Sequence, residues 1–167
     1  MPDGGERMPA LRAGVLTLSD SVAGGARADL SGDACAELLE GAGFTVALRR
    51  QLPDARGAMA DLLRRWCDEE RLDVIVTTGG TGLGPRDVTP EAVGDVAARL
   101  IPGFGELMRA EGLRHTPMAA MSRSMAAMRG STVIVALPGS PKGVRESLGA
   151  VLPLLAHAAH IMGGGGH

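Results

Sequence analysis

The chain has 167 residues, 45% of them hydrophobic, and a formal net charge of −2. One domain is the simplest reading, long enough to bury about two-thirds of the surface that the unfolded chain exposes. The charge offers no basic face to nucleic acid, and the aromatic complement is Phe44, Phe104 and Trp66, which leaves no stacking platform for single strands.

Residues 1–10 read as a tail, without the apolar stretch of a signal peptide. Leu11 to Leu18 reads as a first strand that ends in Ser19-Asp20-Ser21, and Val22 to Leu30, with Gly24 and Gly25, as a flexible loop. Ser31 or Asp33 could cap a helix that runs to Ala42. Phe44 to Leu52 alternates as a second strand, closed by Pro53-Asp54. A helix over Ala55 to Glu70 follows, with Met59, Leu62, Leu63 and Trp66 as its apolar stripe. Val74 to Thr78 is an unbroken β-branched run, the pattern of a central parallel strand buried on both faces.

Past this strand, Thr89 reads as an N-cap with Pro90 at the first helical position and Glu91 in the first turn, opening a helix to about Arg99. Ile101-Pro102-Gly103 breaks it, a helix resumes from Phe104 to His115, and Thr116-Pro117 breaks again. Met118, Met121, Met125 and Met128 then fall at spacings of three, four and three, the pattern of a helical core stripe. The alternative is a short helix followed by a strand near Ser124 to Arg129. Thr132 to Leu137 is another buried strand. It leads through Pro138-Gly139-Ser140-Pro141-Lys142-Gly143 to a last helix, Val144 to Met162, divided near Pro153. The longest apolar run, Ala150 to Met162, is too short to span a bilayer. The expected organisation is one domain over residues 11–162 and a glycine-rich tail over 163–167. Cys35 and Cys67 lack a partner motif and read as inert reduced thiols, with the cytoplasm as the default compartment.

Alternating strands and helices predict an α/β fold with a mostly parallel sheet, and parallel strands bring their carboxyl ends to one edge. Four strand ends converge there: Asp20, Asp54, the loop Gly79 to Asp87, and Ser140 with Lys142. Gly79, Gly80, Gly82 and Gly84 leave a loop whose N–H groups can approach a ligand closely and point at an anion, with Thr78 and Thr81 adding hydroxyls. The chain has no Gly-Lys-Ser/Thr and no clean G-x-G-x-x-G after a strand, which excludes the Walker loop and leaves a dinucleotide fingerprint unsupported. A donor-rich loop beside several carboxylates and Lys142, the chain's single lysine, fits metal-assisted phosphoryl or nucleotidyl transfer. Each residue also has a plainer reading. Asp87 could belong to the turn before Thr89, Asp54 could be a turn residue or a cap, and Asp20 could hold its own loop. Ser122 could be a cap, Ser140 ordinary turn chemistry, and Lys142 a solvated residue at a helix start. Arg86 could pair with an acid instead of a ligand. His157 and His160, three apart, lack the further ligands a metal site needs.

The segment TTGGTGLGPRDVTPEAV, from Thr77 to Val93, resembles the signature of the molybdopterin-binding Mog/MoaB family. The resemblance extends to Leu52-Pro53-Asp54, Ile101-Pro102-Gly103-Phe104-Gly105-Glu106, Ser122-Arg123 and Leu137-Pro138-Gly139-Ser140-Pro141-Lys142. It covers about residues 11 to 160 and is nearest the short MoaB-like form. The resemblance implies a three-layer α/β/α sandwich, usually a homotrimer, whose active members transfer AMP from Mg-ATP to the terminal phosphate of molybdopterin and release pyrophosphate. It assigns Asp54 and Asp87 to catalysis and Mg²⁺. Asp20, Thr78, Gly79, Gly80, Thr81, Gly82, Ser122, Pro138, Gly139, Ser140 and Lys142 are its candidates for contact with ATP or the pterin. A hand-over to a metal-insertion protein follows from the same likeness. Two alternatives stay open: a non-catalytic molybdopterin carrier, and, more distantly, a nucleotide-recycling domain of the competence-damage type.

Overall fold

The computed structural model describes residues 9–165. The expected tails fall largely on residues 1–8 and 166–167, which lie outside the described residues. One sheet is built from β1 (Arg12–Leu18), β2 (Thr45–Leu52), β3 (Val74–Thr78), β4 (Arg99–Leu100), β5 (Met125–Arg129) and β6 (Thr132–Leu137). Its order is β2-β1-β3-β6-β5-β4. Strands β2, β1, β3 and β6 are parallel, β5 runs antiparallel to β6, and β4 antiparallel to β5. The helices are α1 (Asp20–Ala23), α2 (Leu30–Gly41), α3 (Arg56–Asp68), α4 (Thr89–Val96), α5 (Pro102–Leu113) and α6 (Pro141–Met162), with a 3₁₀ turn over Pro117–Met121.

Every residue of β3 and β6 is buried, as continuous apolar runs in a central parallel strand require. Their side chains alternate between two cores. Val74, Val76, Val133, Val135 and Leu137 pack with α2, α5 and α6 on one face. Ile75, Ile134 and Ala136 pack with α3 and α4 on the other. The result is the expected α/β/α sandwich. Each fully buried Leu or Ile contributes about 1.5–3 kcal/mol, and such side chains come from the sheet and from the helices on both of its faces. Gly14 in β1 makes room for the second core, because a Cβ there would lie 2.8 Å from the Trp66 ring and 2.7 Å from Leu72.

Several expectations are corrected. The cap of α2 is Asp29, not Ser31 or Asp33: its carboxylate accepts from Gly32 N at 3.0 Å and from Thr17 Oγ1 at 2.9 Å. Ser31 donates to the Gly139 carbonyl at 2.6 Å instead. Helix α1 occupies the start of the segment expected as a loop, with Ser19 as its cap. Helix α4 stops at Val96, and the chain continues into β4, whose pairing is extended by Ala98 N to Met128 O and Ile101 N to Ala126 O. The methionine spacing is not a helical stripe. Met118 and Met121 sit in the 3₁₀ turn, 62% and 43% exposed, while Met125 and Met128 pair with Ala136 and Val133 across the sheet. Pairing with β6 satisfies that backbone along its length, and Pro117 separates the short turn from α5. Helix α6 is continuous through Pro153. Its face of Val144, Leu148, Val151, Leu155 and Ala159 is at most 2% exposed, and that packing outweighs the roughly 3 kcal/mol an interior proline costs.

Candidate active site

Strand β3 delivers the chain to the carboxyl edge, where two glycines turn it. Gly79 has φ +102°, and a Cβ there would lie 2.2 Å from the Leu18 carbonyl oxygen; Gly80 has φ +72°, and its Cβ would lie 2.3 Å from Thr89 Oγ1. Thr89 is therefore not a side-chain cap. Its hydroxyl donates to the Gly79 carbonyl at 2.7 Å and its N–H to the Gly80 carbonyl at 3.0 Å, tying the start of α4 to the loop. Thr78, expected to meet ligand, is fully buried and donates to the Pro138 carbonyl at 2.6 Å, while Gly79 N donates to Leu137 O at 3.1 Å. A buried hydroxyl takes the acceptor within reach, so Thr78 laces the β3 and β6 loops together. Among the described residues, the N–H groups of Gly80, Thr81, Gly82 and Leu83 find no hydrogen-bond partner, which leaves them available to an anion.

Arg123 holds this loop from the opposite side. Its N–H donates to Thr81 O at 2.9 Å, Nε to Gly82 O at 2.9 Å and Nη2 to Asp87 O at 2.7 Å. Nη1 pairs with the Glu91 carboxylate and keeps that group below the usual glutamate range. Asp87 Oδ2 accepts from Gly84 N at 2.9 Å. A Cβ at Gly82 or Gly84 would come within 2.8 or 2.9 Å of that same oxygen, so glycine at both positions lets the carboxylate sit under the loop.

Asp20, at the start of α1, receives Arg86 in a fork, Nε to Oδ2 at 2.8 Å and Nη2 to Oδ1 at 2.9 Å, and also accepts from Asp54 N at 3.0 Å. Arg86 thus pairs with Asp20, and the hydrogen bond holds that carboxyl below its ordinary range. Asp54 is shifted the other way. Partial burial raises its pKa, and the negative charges of Asp20 and Asp87 raise it further, against an opposing contact from the Asp20 backbone and the Arg86 charge. Three strand ends therefore bring acids together with one guanidinium between them.

Beside the loop lies a cavity of about 480 Å³, lined by Thr81, Gly82, Leu83, Met118, Met121, Ser122, Pro138, Gly139 and Ser140. It opens onto a second of about 280 Å³ that shares Met118, Ser122, Pro138 and Ser140 and adds Lys142 and Glu146. Ser140 caps α6 by accepting from Gly143 N at 3.0 Å. Lys142 is largely exposed and lies 3.8 Å from Glu146. The structure so brings Thr81, Gly82, Ser122, Pro138, Gly139, Ser140 and Lys142 to the cavities. Gly79 and Gly80 shape the loop, and Asp20, Asp54 and Asp87 form a neighbouring acidic cluster outside the cavity walls. Among the described residues no three His, Cys, Asp or Glu form a preassembled metal cluster. The sequence reading missed the walls Leu83, Met118 and Met121 and the cavity carboxylate Glu146, and it named Arg123 only within the Ser122-Arg123 resemblance, without its hold on the loop. The Thr116-Pro117 break was the available signal that the methionines leave the core.

Residues 14–157 match the family described as a probable molybdopterin binding domain. The chain belongs to that family. A curated relative from Helicobacter pylori (strain J99), molybdopterin adenylyltransferase, is 40% identical over 160 residues, covering 93% of this chain and 89% of the relative. The molybdopterin adenylyltransferase of Escherichia coli K12 is 38% identical, covering 86% of this chain and 75% of its own length. Among solved structures, the molybdopterin biosynthesis enzyme MoaB from Thermus thermophilus is 52% identical with a TM-score of 0.87, covering 92% of this chain and 97% of that one. The resemblance to the Mog/MoaB family and the α/β sandwich it implied are both borne out. No helix among the described residues is long and apolar enough to cross a membrane.

Proposed function

We propose that this protein is a molybdopterin adenylyltransferase of molybdenum cofactor biosynthesis, which moves AMP from ATP to the terminal phosphate of molybdopterin. The observation that carries the reading is the glycine loop, with the N–H groups of Gly80 to Leu83 unpaired among the described residues and its Asp87 held beside Asp54, opening directly onto a double cavity. A phosphate oxygen of the pterin attacks the α-phosphorus of ATP, a new P–O–P linkage forms, and the bond to the β-phosphate breaks with pyrophosphate leaving. The loop N–H groups and Lys142 bind the phosphates and stabilise their charge. Gly80, Thr81, Gly82 and Ser122 are the candidate phosphate and pterin contacts, with Pro138, Gly139 and Ser140 forming the facing wall.

Asp54 and Asp87 would hold Mg²⁺. The residues fit such an ion: the pKa of Asp54 is raised by burial and by two neighbouring carboxylates, a charge imbalance that a cation relieves. Two carboxylates suffice, because Mg²⁺ takes much of its coordination from substrate phosphates and water. When bound, the ion supplies neutralisation of the triphosphate charge. A homotrimer in the cytoplasm, handing its product to a metal-insertion protein, completes the proposal.

The test is an end-point assay with purified protein, molybdopterin and Mg-ATP that follows adenylylated pterin. Product is expected with the wild type and should vanish with Asp87→Asn and without magnesium. Saturable pterin binding that persists in Asp87→Asn, with no product from the wild type, would make the protein a carrier instead.

A further inference from the structure

The cavity of about 280 Å³ between α5 and α6 holds a carboxylate that the glycine loop and the acidic cluster do not use. Glu146 lies on α6 with only 17% of its side chain exposed. Its Oε1 is buried and, among the described residues, has no hydrogen-bond partner. The nearest ion-pair partners stand off beyond hydrogen-bond reach, His115 Nδ1 at 3.7 Å and Lys142 Nζ at 3.8 Å. Lys142 is 79% exposed, so its ammonium stays hydrated instead of closing on the carboxylate. An unmade hydrogen bond on a buried carboxylate oxygen is costly unless something else occupies it.

The chemistry of the vacant oxygen selects its partner. A carboxylate binds best to two parallel N–H donors, as in its fork with a guanidinium. The 2-amino-4-oxopyrimidine edge of a pterin presents such a pair, its N3–H and exocyclic amino group. Adenine presents a donor beside an acceptor, and the acceptor would face the carboxylate with a repulsive lone pair. The placement agrees. This cavity joins the larger one through Met118, Ser122, Pro138 and Ser140, and the larger one reaches Thr81 and Gly82 of the phosphate loop. A ring at Glu146 with its phosphate tail running past Ser140 therefore points that tail toward the loop that carries Asp87.

Resting on the adenylyltransferase reading, we propose that Glu146 is the specificity residue that recognises the pterin, pairing with its 2-amino-4-oxopyrimidine edge, and that the nucleotide base binds elsewhere. The apolar walls Met108 and Met118 then cover the flat of the ring, which suits soft, adaptable side chains in a chain so poor in aromatics.

The probes are 6-hydroxymethylpterin phosphate and 6-hydroxymethyllumazine phosphate, which replaces the 2-amino group by oxygen, with AMP as a third ligand. Calorimetric titration of the wild type should favour the pterin phosphate by about 10-fold or more, the scale of one charge-assisted hydrogen bond made or lost. Glu146→Gln should weaken the pterin phosphate by about 10- to 100-fold, bring the two heterocycles to within about twofold, and leave AMP unchanged. The substitution is isosteric, and an unchanged melting curve establishes that the fold survives. A preference for the pterin that persists in Glu146→Gln, or a wild type that does not distinguish the two, overturns the assignment; adenylylated molybdopterin in a parallel turnover assay would then still uphold the enzyme. A wild type that binds neither phosphate and forms no product overturns both.

Discussion

Thr77 is fully buried in β3, and its hydroxyl has no hydrogen-bond partner among the described residues. A hydroxyl in that position has lost its water without replacing it. Thr77→Val should therefore stabilise the protein by about 1 kcal/mol in urea unfolding, against the usual sign for a core substitution. Asp54 carries a cost of a different kind. Its raised pKa means that the folded state binds a proton more readily than the unfolded chain does, so stability falls as pH rises from the ordinary value of 3.8 through the raised one. At neutral pH the loss is complete, and below 3.8 it is absent. Asp54→Asn should abolish turnover yet melt higher than the wild type at pH 7, with the difference vanishing in acid. Equal melting temperatures across that range would remove the charge crowding that the metal assignment draws on. The same crowding that makes Asp54 costly makes it useful, because a cation relieves it only when substrate brings one.

At the scale of elements, the glycine loop and α6 show why identical residues answer differently. Gly79 has φ +102° and a Leu18 carbonyl 2.2 Å from where a Cβ would sit, so Gly79→Ala meets backbone strain and a collision that neither side can yield. It should cost more than about 2 kcal/mol in denaturant unfolding and remove nucleotide binding along with the loop. Gly149, in the middle of α6, has no described residue within 4 Å of its Cβ position beyond its own helix and no positive φ. Gly149→Ala should stabilise by about 0.5–1 kcal/mol through helix propensity. A stabilised Gly79→Ala would mean that the loop is not held in the turn described. Arg123 belongs to this scale too, because one guanidinium and one N–H fasten Thr81, Gly82, Asp87 and Glu91 to the segment that leads into β5.

For the whole molecule, the three layers leave β4 at one edge of the sheet, with Leu100 59% exposed there and Leu107 and Leu113 exposed on the adjoining α5. Exposed leucines are ordinary on a monomer when scattered and informative when they share a covered face. The proposed homotrimer predicts a sedimenting mass three times that of the chain at micromolar concentration, unchanged on dilution into the nanomolar range. A single-chain mass would withdraw the trimer and leave the site and its chemistry as they stand.

By itself the sequence determined the sheet and the loop. Val74 to Thr78 and Thr132 to Leu137 had to be buried central strands, because β-branched runs without polar alternation suit a sheet covered on both faces. Gly79 and Gly80 had to follow, because the turn needs positive φ. These are local properties, legible in a window of a few residues. Tertiary structure decided what depends on partners distant along the chain. Asp29 caps α2 in place of its neighbours because Thr17 lies opposite it. The methionines divide between a cavity wall and a strand because β6 offers pairing to the second pair alone. Arg86 goes to Asp20, and Glu146 on a cavity between two helices keeps a buried oxygen unpaired among the described residues. Hydrogen-bond partners and electrostatic fields depend on distance in space, and the sequence records only order along the chain.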